Sequence, residues 1–199
     1  LAKSRLKTTL IDWYTYTVGE DQYYFARYDR WGALVGFDPS YDSDTFNDHH
    51  FHYGYFVYAS ALLCMLDDDF RHQYGPMARL VALDYANPTR MEDWKVDSLK
   101  FKGEGYPRFR TFNPYLGHSF AGGMGNEGNG NGQESSSESM QGWGGVWMLG
   151  AALGDEELME AGIYGYTIEA RGTAEYWFDR GRRNIDYTKY LHPYCCNLT

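Results

Sequence analysis

Three acidic residues stand where carboxylate chemistry could be done: Asp48 in NDHHFHYGYFVYASA, and Glu134 and Glu138 in GNGQESSSESM. Cleavage of a glycosidic bond needs a carboxylic acid that protonates the leaving oxygen and a carboxylate on the other side of the bond. A separation of about 6.5–9.5 Å leaves room for a water and inverts the anomeric centre, whereas about 5–5.5 Å allows direct attack and retention. Asp48 falls at a predicted loop-to-helix junction among Phe46, Phe51 and Tyr53. Apolar surroundings disfavour the charged form and raise a carboxyl pKa, as a general acid requires. His52, one turn later on the same face, can reach Asp48 or a sugar hydroxyl. The same position suits a helix N-cap, so spacing alone leaves both roles of Asp48 open.

Glu134 and Glu138 are four residues apart, which predicts one helical face and a rise of about 6 Å between them. Like charges at that spacing repel mildly, so a purely structural helix gains nothing from the pair. Glu134 is predicted at the helix N-terminus, where the dipole favours an ionised carboxylate, as a base should be. Acids at helix starts are also routine, and a structural role stays open. Ser135, Ser136 and Ser137 add hydroxyls that could orient water or sugar, but no GxSxG turn surrounds them to make a nucleophile.

His49, His50 and His52 invite a metal reading, with His49 and His52 at i, i+3. No HExxH is present and Asp48 is the sole acid at ligand spacing, so no metal and no cofactor is expected. The Gly/Asn-rich run lacks the Lys-Ser/Thr ending of a phosphate-binding loop.

The elements that would hold these residues are helices. Leu6, Leu10, Trp13 and Tyr14 predict a helix over 1–17, and Tyr23–Phe25 with Ala33–Phe37 predict a hairpin. A second helix is expected over 49–66, with Phe51, Tyr55, Tyr58, Leu62 and Met65 as its stripe, and a third over 70–85, stopped by Pro88. Residues 87–133 form a long connection, longer than compact domains usually tolerate without a purpose. Its Gly122–Gly132 run is expected to be a flexible surface loop. A helix from Gln133 to about Leu153 should bury Met140, Trp143, Trp147 and Ala151. Gly154 breaks it, and a last helix runs to about Asp179, acidic at its start and followed by Arg180, Arg182 and Arg183. Helix pairs joined by functional loops give an all-α fold, consistent with part of an (α/α)6 toroid. A plain helical bundle is the alternative.

At 199 residues and 43% hydrophobic content the chain can build one ordinary core. Its 19 Tyr, 11 Phe and 6 Trp supply flat faces with polar edges, suited both to packing and to stacking on sugar rings. A net charge of −9 argues against nucleic acid as a partner. The segment Tyr53–Leu66 is interrupted by polar residues and runs into Asp67, Asp68 and Asp69, so no membrane span is expected. Cys64, Cys195 and Cys196 do not make a disulfide framework. Leu1 opens the chain without a signal-peptide pattern, and both ends read as cut from a longer protein.

The blocks NDHHFHYGYFVYASA (47–61), RFRTFNPYLGHSFA (108–121) and NGQESSSESMQGWGGVWMLG (131–150) resemble, in order, those of the family 81 glycoside hydrolases, endo-β-1,3-glucanases of fungi, plants and bacteria. The resemblance implies inverting, metal-free hydrolysis of β-1,3-glucan such as laminarin or curdlan, outside the cell or at the wall. It implies Asp48 as general acid, Glu134 as the base that activates water, and Glu138 as a supporting or competing acid. It implies further that His52, Tyr55, Tyr115 and His118 line the cleft. Family members carry an N-terminal β-sandwich and a whole toroid. Residues 1–199 are therefore expected to be one partial catalytic domain, truncated within the toroid. A non-catalytic glucan-binding protein is the alternative, and oligomeric state is not legible.

Overall fold

The computed structural model describes residues 1–38, 42–89, 105–123, 132–186 and 188–189. Five α-helices carry the described residues: α1 (Ala2–Tyr14), α2 (His49–Leu66), α3 (Asp68–Ala86), α4 (Ser136–Leu153) and α5 (Glu156–Gly172). Two small antiparallel hairpins accompany them, β1 (Tyr24–Tyr28) with β2 (Ala33–Phe37), and β3 (Phe112–Asn113) with β4 (His118–Ser119). The layout is all-α, consistent with a section of a helical toroid.

The helix ends follow local chemistry. Asp67 alone joins α2 to α3 and accepts from the Phe70 N–H at 3.0 Å. Gly154 ends α4 in a left-handed turn (φ 71°), and Asp155 restarts the chain by capping Leu158 N at 3.0 Å. Asp155 also receives Arg79 Nε at 2.6 Å, which ties α3 to α5.

Helix α4 lies between α2 and α5, and glycines bring the three axes together. A Cβ on Gly54 would stand 2.8 Å from Gly142 Cα; one on Gly162 would stand 2.3 Å from Trp147 N; one on Gly165 would stand 2.2 Å from the Trp143 ring. These contacts choose the buried faces, and here the structure corrects the expected stripes. In α2 the core face runs through His50, Tyr53, Gly54, Val57, Ala61 and Cys64, while Tyr55 and Met65 are exposed. In α4 it runs through Ser139, Gly142, Trp143, Val146 and Leu149, while Trp147 and Ala151 face outward. Both helices are apolar almost all round, so periodicity could not say which side the close approach selects.

Two helices end earlier than expected. Helix α1 ends at Tyr14. The last helix ends at Gly172 and passes into a π turn, Thr173–Trp177, rather than running to Asp179. There Asp179 is buried and accepts the backbone N–H groups of Arg183, Asn184 and Ile185, so Arg183 pairs with Glu175 at 2.6 Å instead of screening a helix end. The connection 87–133 is not structureless, because the β3–β4 hairpin lies within it. Of the expected flexible loop, residues 124–131 lie outside the described residues, as do Cys195 and Cys196.

The β1–β2 hairpin is fastened to the helices by side chains. Tyr53 donates its hydroxyl to Leu34 O and receives Gly36 N, both at 3.0 Å. Leu34 N donates to Asp84 Oδ1 at 2.8 Å.

Candidate active site

Asp48 is the residue before α2, with its backbone in the left-handed region at φ 56°. It occupies the cap position, yet its side chain makes no capping hydrogen bond. That resolves the ambiguity of its spacing: backbone geometry starts the helix, and the carboxyl is left for something else. Asp48 is 6% exposed, and its Oδ1 has no hydrogen-bond partner among the described residues. Burial pushes the carboxyl up to about 6, reinforced by the negative charges of Glu134 and Glu138 and opposed by His49.

Two backbone contacts aim the Asp48 loop. Asp48 N donates to Ala121 O at 2.9 Å, and Ala121 N donates to Gly132 O at 2.9 Å. The chain segment after β4 is thus clamped between the loop of the candidate acid and the loop that leads to Glu134. Gly123 lies flat against the same loop, where a Cβ would fall 2.1 Å from the Phe46 carbonyl carbon. Only glycine fits that approach.

Glu134 departs from its expected place. Helix α4 begins at Ser136, Ser135 is the cap, and Glu134 sits before it at φ 64°. Glu134 and Glu138 therefore do not share a helical face. The Ser135 side chain accepts from Glu138 N at 3.4 Å, which ends the helix one residue short of Glu134. The left-handed backbone turns Glu134 out as an exposed carboxylate while Glu138, in the first turn, is half-buried. Both still act on Asp48 electrostatically, so the structure brings the three acids together by a route that i, i+4 spacing did not foresee.

Around this trio, Tyr55 donates its hydroxyl to a Glu138 carboxylate oxygen. Burial and that acceptor push the Tyr55 phenol up to about 12. His52 is held below its ordinary value by burial, with Glu138 opposing, which puts its ring near the same carboxylate. Tyr115 and His118 stand on the β3–β4 hairpin instead. Tyr115 is 94% exposed at the turn, and His118 Nδ1 faces Ser119 O at 2.8 Å. Neither makes a hydrogen bond to the three carboxylates among the described residues.

The three histidines diverge. His49 Nδ1 meets Asp84 Oδ2 at 2.5 Å and its Nε2 faces Ser43 O at 2.7 Å. His50 Nε2 pairs with Ser139 Oγ at 3.0 Å, and burial, then His49 and His52, push it down to about 3. Among the described residues no group of three or more His, Cys, Asp or Glu side chains is arranged to hold a metal ion.

Two supporting carboxylates escaped the sequence reading. Burial would raise the Asp84 carboxyl, but His49, Arg110 and the Leu34 N–H outweigh it and hold the group below its usual range. Arg110 donates to Asp84 O at 3.0 Å and also to Gly32 O. Glu169, fully buried, accepts from Ser119 N, Ser119 Oγ, Gln133 Nε2 and Trp143 Nε1. A legible signal existed for Glu169: it lies in register with the small and apolar stripe Leu158, Ala161, Gly162, Gly165 and Gly172 of α5.

Comparison with known proteins bears on the chain as a whole. The family model described as "Glycosyl hydrolase family 81 C-terminal domain" matches residues 3–196. A glucan endo-1,3-beta-D-glucosidase of Acetivibrio thermocellus is 39% identical over 194 residues, 96% of this chain and 24% of that protein. One of Thermobifida fusca is 38% identical over 175 residues, 86% of this chain and 22% of its own length. One of Glycine max is 33% identical over 178 residues, 86% of this chain and 25% of its own length. A solved family 81 glycoside hydrolase of Clostridium thermocellum superposes with a TM-score of 0.84 at 36% identity, covering 96% of this chain and 25% of that one. The chain spans about a quarter of the length of the relatives it matches.

Proposed function

Because the chain belongs to glycosyl hydrolase family 81, as a segment of its C-terminal domain, we propose that it carries the acid–base carboxylates of an endo-β-1,3-glucanase. Its relatives are named glucan endo-1,3-beta-D-glucosidases, which supports β-1,3-glucan, such as laminarin or curdlan, as substrate. In this reading residues 1–199 are one part of a larger catalytic domain acting on an extracellular or wall polymer.

Asp48 protonates the glycosidic oxygen. Glu134 takes a proton from a water that attacks the anomeric carbon from the opposite side, so the C–O bond breaks as the new one forms and the configuration inverts. Glu138, held by Tyr55, keeps negative charge beside Asp48 and so favours its protonated form. His52 and Tyr55 contribute polar edges beside the carboxylates, and exposed Tyr115 and half-buried His118, on the β3–β4 hairpin, offer ring faces to the sugar chain. The observation that carries this reading is the Asp48 carboxyl itself. It is unused by its helix, and burial, reinforced by two flanking acids, raises it to about 6, as a general acid working near neutral pH needs.

Incubation with laminarin, followed by NMR of the first product, tests the proposal. An α-anomer is expected. A β-anomer overturns inversion, and binding to curdlan with no release of reducing ends makes the chain a glucan-binding protein instead.

A further inference from the structure

Glu169 presents its two carboxylate oxygens to four donors and is fully buried. Oε1 accepts Ser119 N at 3.2 Å and Gln133 Nε2 at 2.9 Å; Oε2 accepts Ser119 Oγ at 2.6 Å and Trp143 Nε1 at 2.8 Å. A buried carboxylate is expensive, and a well-packed apolar group in its place is often neutral or stabilising. Its location gives a reason to keep it. Ser119 is two residues before Ala121, whose carbonyl receives Asp48 N and whose N–H binds Gly132 O. Gln133 is the residue between Gly132 and Glu134.

We infer that Glu169 is a positioning residue that sets the distance between Asp48 and Glu134: through Ser119 it holds the segment whose Ala121 carbonyl receives Asp48 N, and through Gln133 it holds the loop that carries Glu134. It touches neither substrate nor reacting atoms. It acts through two short segments, with the buried Gln133 side chain at the start of the Glu134 turn and buried Ser119 in the short β4 strand as the points of attachment. An amide cannot replace it. A glutamine at 169 turns an NH2 toward either Ser119 N–H or Trp143 N–H, and neither of those donors can become an acceptor. Gln133 Oε1, which has no hydrogen-bond partner among the described residues, could accept from that amide only if the side chain flipped and abandoned its present donation.

The inference rests on the acid–base roles proposed above, so its test needs a readout that does not require hydrolysis. Carbon-13 NMR of the Asp48 carboxyl supplies one, because proximity to Glu134 helps to hold that group near 6. In Glu169→Gln and in Gln133→Ala, the Asp48 titration is expected to fall by about one unit as Glu134 drifts from it. On laminarin, kcat should drop at least about tenfold while KM stays within about twofold, the signature of an interaction used in the transition state. Glu169→Asp should recover part of both. If Glu169→Gln fails to fold, Gln133→Ala, which leaves the buried carboxylate in place, decides alone. Unchanged Asp48 titration in folded Gln133→Ala overturns the inference. A parent chain that does not hydrolyse laminarin counts against the proposed function, and the titration still decides the role of Glu169.

Discussion

The imidazole of His49 and the carboxylate of Asp84 meet at 2.5 Å with neither side chain exposed. The contact fixes the first turn of α2, directly after Asp48, against the end of α3. The second His49 nitrogen faces Ser43 O at 2.7 Å, so the ring is held at both edges beside the Asp48 loop. From that place His49 draws the Asp48 pKa down against burial and the flanking acids.

Removing one member of such a pair leaves the other buried and uncompensated. His49→Ala and Asp84→Asn are each expected to lose about 3–5 kcal/mol of folding stability, read from the urea midpoint. A loss under about 1 kcal/mol would mean that water already reaches the pair.

Stability against pH should carry two opposing signs. His50 is depressed from 6.5 to about 3, so the fold loses stability as pH drops below 6.5, by up to about 1.4 kcal/mol per unit. Asp48 is raised from 3.8 to about 6, so between those values the folded state holds the extra proton and stability rises as pH drops. His52, also depressed by burial, adds to the loss, so from pH 6 to 4 the parent chain should decline, only partly offset by Asp48. Asp48→Asn removes the compensation and should decline more steeply over the same range; a variant that declines no more steeply than the parent contradicts the raised Asp48. Below about pH 4, Asp84, whose folded value is depressed, loses its contribution too.

Activity should depend on the same proton. Hydrolysis is expected to fall as pH rises through about 6, where Asp48 ionises. Glu138→Gln takes one negative charge from beside Asp48, so this limb should move to lower pH. A limb that moves upward, or does not move, would exclude Asp48 as its source.

Glu134→Gln should cut kcat by about 10²–10⁴ while glucan binding, measured by calorimetry, stays within a few-fold. Glu134→Gly offers a sharper contrast. Glycine has no Cβ to strain at φ 64°, so this variant should gain up to about 1 kcal/mol of stability while losing hydrolysis. Equal loss of folding and activity in both would assign Glu134 to the fold.

Gly142→Ala sets a Cβ 2.6 Å from His50 O, backbone against backbone. The wedge between α2 and α4 should lower stability by about 2–3 kcal/mol, visible in thermal unfolding. A Cβ tolerated without loss would show that the two helices can separate freely.

By itself the sequence determined the helical layout, the start and end of α2, the hairpin of β1 and β2, and the blocks around Asp48, Glu134 and Glu138. These features are local: cap residues, periodicity and glycine stops act within a few positions, and long blocks identify kinship whatever the packing. What only the tertiary structure decided is which face each apolar helix buries, because Gly54, Gly142, Gly162 and Gly165 mark close approach only once their partners are opposite. It also decided that Glu134 leaves the helix. Beside the Ser135 cap and the left-handed Glu134, Gln133 binds Glu169, a contact across 36 residues of sequence that no local pattern records. Of the two fully buried carboxylates, Asp84 reads in the chain as an ordinary helix acid, and the stripe of α5 marks Glu169 as a buried position without naming its partners. Their donors come from three other segments each, and a charge in low dielectric takes its meaning from what surrounds it rather than from its neighbours in sequence.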